Sequence, residues 1–302
     1  MKVYYKRLVE GMTTAAIIHN SNYFLIDMPV YEDGTIDCWK RVQLAQVSEQ
    51  LKKGWLVTSV PDGKSLSIHG LGNFGIKTSK WNYTNKSYEK HIYEIVKSMN
   101  SKMTGLFCET NEQKEKWEKY RVGWRTFGKS YKIDGNVGYR MTDGCGTKMF
   151  MNKNGAFHLV NITGFADNTY QIENGDIITS QEITDMVKQN ILVCEPPLGV
   201  PVNIHDIGTI EISEVYWAAE SPEKLKEILD FPNKAGDKET LHEICRNIYH
   251  EYLEYPNEDT RTRLRKAYEA VPEHERMYLG DMDSKDGDYR RILFHPERKR
   301  EV

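Results

Sequence analysis

His69 and His205 are the first residues able to do chemistry, because they fill one position of a pattern written twice: Ile68-His69-Gly70-Leu71-Gly72 and Ile204-His205-Asp206-Ile207-Gly208. Matched imidazoles beside tight turns suit proton sharing or metal binding, but an ion needs a third ligand that the spacing does not supply. The simpler expectation is structural, each ring satisfying a backbone group at its turn. His242 and Cys245 stand at i and i+3 on a helical stretch, near enough to share an ion, whereas His250 lies two turns from His242. A buried thiol with exposed histidines fits the same spacing without metal. The densest acidic run, Gly280 to Asp288, offers Asp281, Asp283, Asp286 and Asp288 to Mg²⁺ or Ca²⁺. Lys285 at the fifth ligand position and Ile292 at the twelfth break the EF-hand pattern, so an acidic turn is the adopted reading and no metal is expected. Asp143-Gly144-Cys145-Gly146 sets a thiol on a turn without a base at useful spacing, and Gly70, Gly72 and Gly75 open no helix. Neither a nucleophile nor a phosphate cradle is assembled.

These residues must be positioned by a unit that recurs. A shift of 136, from Ile68 to Ile204, also puts Val47 on Ile183, Leu51 on Val187, Leu56 on Leu192 and Trp81 on Trp217. Upstream the shift loosens to about 133 or 134, where Glu10-Gly11 faces Asp143-Gly144 and Tyr23-Phe24-Leu25 faces Ala156-Phe157-His158, as small loop deletions would produce. The repeat spans roughly residues 5–76 and 139–212.

Residues 3–9, 14–19 and 23–31 read as strands, with Asn20-Ser21-Asn22 as a hairpin turn. From Val42 to Lys53 apolar residues recur at helical spacing, and Gly54 stands where a helix stops. WLVTSV and SLSIHGLGNFGI read as strands about the turn Pro61-Asp62-Gly63. A helix then starts with Ser87 as its cap, as another does at Ser221-Pro222-Glu223 in the second copy. Lys114 to Tyr120 reads as a charged surface helix. Beyond Pro232 the chain turns helical and charged, with a break at Pro256-Asn257 and a short helix opened by Pro272. The expected class is α+β: two tandem related small antiparallel-sheet modules, each with a helix, plus a C-terminal helical segment. The expected domains are 1–100, a linker 101–135, a second repeat 136–232 and a helical region 233–302.

With 39% hydrophobic and 28% charged residues, the 302-residue chain has the composition of a soluble globular protein. A net charge of −3 argues against a protein that grips nucleic acid over its whole surface. The basic residues Arg290, Arg291, Arg298, Lys299 and Arg300 are diluted by Glu297 and Glu301, a solvated face. Five scattered cysteines, never spaced C-x-x-C, read as reduced thiols. No stretch approaches the length of a membrane span, and the first twenty residues lack a signal peptide's apolar run, so a cytoplasmic location is expected.

Asp33-Gly34-x-x-Asp37-Cys38-Trp39, then Gly54-Trp55-x-Val57-x-x-Val60-Pro61-Asp62-Gly63 and Ile68-His69-x-Leu71-Gly72, resemble a bacterial domain family of unknown function. That family is similar to small immunity-type proteins that neutralise a toxin, and the resemblance implies no catalytic residues. The second copy has Asn174, Gly175, Asn190 and Ile191 in place of Cys38, Trp39, Gly54 and Trp55, so an aromatic contact surface in the first copy is lost from the second. The expected function is a non-enzymatic protein-binding or inhibitor protein, with Trp39, Trp55, His69, His205 and Trp217 as its surface, no cofactor and a protein partner. The alternative is a metal-dependent hydrolase or nuclease with a site in the cleft between the repeats.

Overall fold

The computed structural model describes residues 9–107, 142–173 and 175–298. The strand expected at 3–9 lies outside the described residues apart from Val9. So do the helix expected at Lys114 to Tyr120, most of the 101–135 linker, Cys108, Asn174 and the tail from Lys299 onward.

β1 (Gly11–Asn20) and β2 (Asn22–Tyr31) pair antiparallel from Gly11↔Tyr31 to Asn20↔Asn22, the chain reversing on Ser21 alone at φ 61°. β3 (Thr35–Asp37) pairs with β2 and with β4 (Arg41–Gln43). A 3-10 turn at Leu44–Gln46 leads into α1 (Val47–Lys52). The helix is shorter than its apolar spacing suggests, because Val42 is taken into the ladder opposite Ile36. Gly54 stops the helix at φ 69°, its N–H bonding the carbonyl of Leu51 at 3.2 Å. β5 (Leu56–Val57), β6 (Ser65–Ile68) and β7 (Gly72–Trp81) precede α2 (Asn85–Met99). The cap of α2 is Thr84 rather than Ser87: each hydroxyl accepts from the other residue's backbone N–H, so Ser87 is the third helical residue of a capping box.

The same order is then repeated. β8 (Gly144–Lys153) and β9 (Ala156–Phe165) form the long hairpin, followed by β10 (Tyr170–Ile172), β11 (Ile177–Ile178), α3 (Ser180–Lys188), β12 (Leu192–Val193), β13 (Pro201–Ile204), β14 (Gly208–Ala218) and α4 (Ser221–Ala235). The register drift has a visible cause. The second hairpin turns on Asn154-Gly155, both at positive φ, where the first turns on Ser21 alone, so the shift grows from 133 at Gly11 and Gly144 to 134 at Asn22 and Ala156. It follows that Tyr23 and Phe24 face Phe157 and His158, one residue from the sequence alignment. Asn190 replaces Gly54 at the helix stop and holds the same left-handed backbone, φ 56°. Val47 and Ile183, Leu51 and Val187, Leu56 and Leu192, and Ile92 and Ile228 are buried in both copies. Glu220 rather than Ser221 is the N-cap residue of α4, and the helix continues through Pro232 to Ala235.

The chain divides into two units, one of residues 1–69, 74–139 and 204–211, the other of 70–73, 140–203 and 212–302. In the first, β2 is flanked by β1 along its length and on its other edge by β6 and β3. Its pairing with β6 is parallel, so the sheet is mixed rather than purely antiparallel. Residues 206–211 belong to this unit: the N–H of Asn82 bonds Ile207 O at 2.8 Å, and Lys77 pairs with Glu211 at 3.6 Å. Ala16, Ile18, Met28, Val30, Val47, Tyr88 and Ile92 are among its core residues. In the second unit β9 has the same neighbours in kind, β8 on one edge and β13 and β10 on the other. Three more helices, α5 (Leu241–Glu254), α6 (Glu258–Ala270) and α7 (Gly287–Phe294), with a 3-10 turn at Glu273–Tyr278, enclose a separate cluster of Cys245, Leu264, Tyr268, Leu279, Tyr289 and Ile292. Among the described residues no helix is long and apolar enough to cross a membrane.

The matched burial gives a direct check. Ile92→Ala and Ile228→Ala, equivalent positions of the two copies, should each cost about 2–5 kcal/mol in urea denaturation, while Tyr93→Ala on the exposed face of α2 stays within about 0.5 kcal/mol.

Candidate functional site

The turn between β3 and β4 presents Trp39. Cys38 anchors it from beneath: its N–H bonds Lys40 O at 3.0 Å and its carbonyl accepts the indole N–H of Trp55 at 3.1 Å. Trp55 is held in turn, its own carbonyl accepting the N–H of His19 at 3.0 Å while its ring packs on the first unit's core. Burial pushes the Cys38 thiol up, against the lowering effect of the Trp55 hydrogen bond, so this sulfur stays protonated and serves as packing. Trp39 lies above at φ 64°, a left-handed conformation that is a genuine outlier for a bulky residue. Its indole is 53% exposed, 4.9 Å from the ring of Phe24, and the Lys40 ammonium sits 4.3 Å from the centre of the Trp55 ring. Phe24, Trp39, Lys40 and Trp55 thus make one aromatic platform with a cation at its edge.

The other residues singled out from sequence are not joined to that platform. His69 is exposed, and His205 is 65% exposed with Asp206 3.6 Å away in its own turn. Trp217 is 48% exposed on β14, beside Tyr216, whose hydroxyl donates to Glu214 at 2.6 Å. The carboxylates of 281–288 serve the local fold. Asp281 accepts from the N–H groups of Asp283 and Ser284, Asp286 takes the Tyr268 hydroxyl at 2.6 Å, and Asp288 pairs with Arg291 at 3.3 Å. Among the described residues they form no converging ligand set. Cys245 is buried in the C-terminal core, its thiol pushed up to about 12 by burial, while His242 turns to Glu275. Cys145 is half-buried on β8.

A second group escaped the sequence reading. Lys224 on α4 has no solvent exposure, and its ammonium donates to Glu227 at 2.6 Å and to the carbonyl of Gly70 at 2.8 Å. Gly70 makes the approach possible, with φ at 67° and a hypothetical Cβ only 3.3 Å from that nitrogen. Glu227 also bonds the His274 ring at 2.7 Å. Burial alone would raise the Glu227 pKa; the His274 hydrogen bond and the Lys224 charge outweigh it, and the carboxyl lies below its usual value. Glu223 reinforces the junction, pairing with Lys226 at 2.6 Å and accepting the N–H of Glu273 at 2.9 Å. Lys224 and Glu227 are three apart and so could have been paired from sequence. Their partner His274 is 47 residues further on, and no local pattern announces it. The network borders a cleft of about 770 Å³ lined by Glu227, Asp230, His242, Arg246, Glu275 and Tyr278 among others.

The chain belongs to the family described as Domain of unknown function (DUF7638), matched over residues 1–103 and 133–238. Residues 240–301 match a second family, Domain of unknown function (DUF7639). No curated protein and no solved structure matches the chain. The two matched stretches of the first family coincide with the two runs of elements that share one order, and the second family covers α5 to α7.

Truncating the buried cation should be severe. Lys224→Ala leaves Glu227 and the Gly70 carbonyl without their donor, and a loss of about 3–5 kcal/mol is expected in chemical denaturation. A loss under about 1 kcal/mol would show that the ammonium is not held as described.

Proposed function

We propose that the protein is a non-enzymatic binding protein that takes a protein partner on the Trp39 platform of the first module. The observation that carries this is Trp39 itself. A left-handed backbone costs a residue other than glycine roughly 1–2 kcal/mol, and burial is the usual return for placing a tryptophan. Here the indole stays half in solvent, so the fold gains little from it, and an exposed tryptophan packed on Phe24, with a cation over the nearby Trp55 ring, has the make-up of an interface hot spot. The second module supports the reading by contrast: Phe24 and Trp55 are matched there by His158 and Ile191, and the position of Trp39 by Glu173, which has the same left-handed backbone at φ 53°, so the shared fold keeps the turn without the aromatic rings. A net charge of −3 favours a protein over a nucleic acid as the partner.

The finer form of the proposal, an inhibitor of immunity type in a bacterial cytoplasm, draws only on the resemblance of the 33–72 stretch. The competing reading, a metal-dependent hydrolase or nuclease built on His69, His205 or the 281–288 carboxylates, has less support, because those carboxylates are engaged in turns and in pairs with neighbouring side chains.

Trp39→Gly separates binding from folding, since glycine adopts this backbone without strain. The variant should match the parent's stability within about 1 kcal/mol or exceed it. Affinity capture from cell extract should then recover a protein with the parent chain and lose it with the variant. Equal recovery by both chains, or no specific protein with either, overturns the proposal.

A further inference from the structure

We propose that Glu227, His274 and Glu275 form a binding site for a divalent transition-metal ion of the zinc class, with His242 beside it. Each of the three offers a ligand atom, and these atoms lie within 4.8 Å of one another. They arrive from two elements: Glu227 from the middle of α4, and His274 and Glu275 from the 3-10 turn that Glu223 holds against that helix. His242, at the start of α5, places its Nε2 3.6 Å from the Glu275 carboxylate and 3.2 Å from the Glu275 carbonyl. Two carboxylates with one or two imidazoles suit zinc, cobalt or manganese better than calcium, which favours an all-oxygen shell.

Three further observations point to a ligand. The His274 side chain is only 6% exposed, and while one ring nitrogen meets Glu227, the other, Nδ1, is buried with no hydrogen-bond partner. A buried imidazole nitrogen left this way is costly in a finished core. Both the Lys224 and the His274 bonds fall on Oε2 of Glu227, which keeps its second oxygen for an ion. Finally, Glu227, His242 and Glu275 line the 770 Å³ cleft, which gives an ion its entry. The proximity of the Lys224 ammonium lowers the affinity below that of an all-anionic site.

Zn²⁺ and Co²⁺ are each titrated by calorimetry into the full chain freed of any tag. Binding of one ion per chain with a rise in melting temperature is expected, and the Co²⁺ spectrum should lack a thiolate charge-transfer band, as nitrogen and oxygen ligands require. Glu275→Gln, at a position 30% exposed, should keep the parent's fold and weaken binding at least tenfold, and His274→Gln should weaken it further. No binding by the parent, undiminished binding by Glu275→Gln, or a thiolate band from Co²⁺ would each overturn the site. None of these outcomes bears on Trp39, so the metal site and the protein-binding proposal fail independently.

Discussion

A lysine ammonium with no contact to solvent has to be answered entirely by the protein, and in this chain the answer comes from its own helix and from two distant turns. Lys224 takes the carbonyl of Gly70 and the carboxylate of Glu227, and Glu227 takes His274. Removing an ion from water costs several kcal/mol even after relaxation, so the arrangement stands only if all its members are in place together. The constraint fixes local detail as well: residue 70 must be free of a Cβ, α4 must bring positions 224 and 227 to one face, and the 3-10 turn must sit where its histidine reaches back. One charge therefore ties the hairpin turn of the first repeat and the helical C-terminal segment to the last helix of the second repeat.

The twin modules show how a shared frame tolerates different chemistry at matching positions. At the shift of 136, Tyr88 of α2 corresponds to Lys224 of α4, and His91 to Glu227. Both pairs point inward from the first half of their helix. The Tyr88 hydroxyl donates to Ala15 O at 2.8 Å, and His91 meets the Thr14 hydroxyl at 3.0 Å, where burial holds its pKa down and so keeps it neutral. Neutral groups bridge helix to strand in one copy, and a charged pair bridges helix to helical appendage in the other. The aromatic platform diverges in the opposite direction, present at Phe24, Trp39 and Trp55 and absent at His158 and Ile191. Each module has kept its core and specialised one edge, which is the distribution expected if the buried positions carry stability and the edges carry recognition.

Much of the frame was legible because it depends on local rules. Apolar positions at Val47, Leu51 and Leu56 recur at Ile183, Val187 and Leu192, and burial follows hydrophobicity in both copies. Gly54 announced a helix stop, and its partner Asn190 is the residue type that next best tolerates a left-handed backbone. Errors arose where a non-local partner overrules a local preference. Val42 has helical spacing but is claimed by Ile36 across a ladder, and Ser87 is a good cap that yields to Thr84 because the reciprocal box satisfies two N–H groups at once. The parallel pairing of β2 with β6 is of the same kind, since strand order depends on contacts far apart in sequence.

The candidate sites divide along the same line. Trp39 and Trp55 stood out by type alone, yet what makes them a platform, the positive φ at Trp39 and the bond from the Trp55 indole to Cys38 O, is geometry that composition does not encode. The acidic run at 281–288 drew attention by density, and density is a poor guide because neighbouring carboxylates repel unless each has a job. Here Asp281 binds backbone N–H groups, Asp286 a phenol and Asp288 a guanidinium. The convergent group, Glu227 with His274 and Glu275, has no density in sequence, since its members are separated by two helices. Those helices bring the residues together because they bury Cys245, Leu264 and Tyr289 behind them, so the packing of an apolar cluster determines where a carboxylate and an imidazole meet.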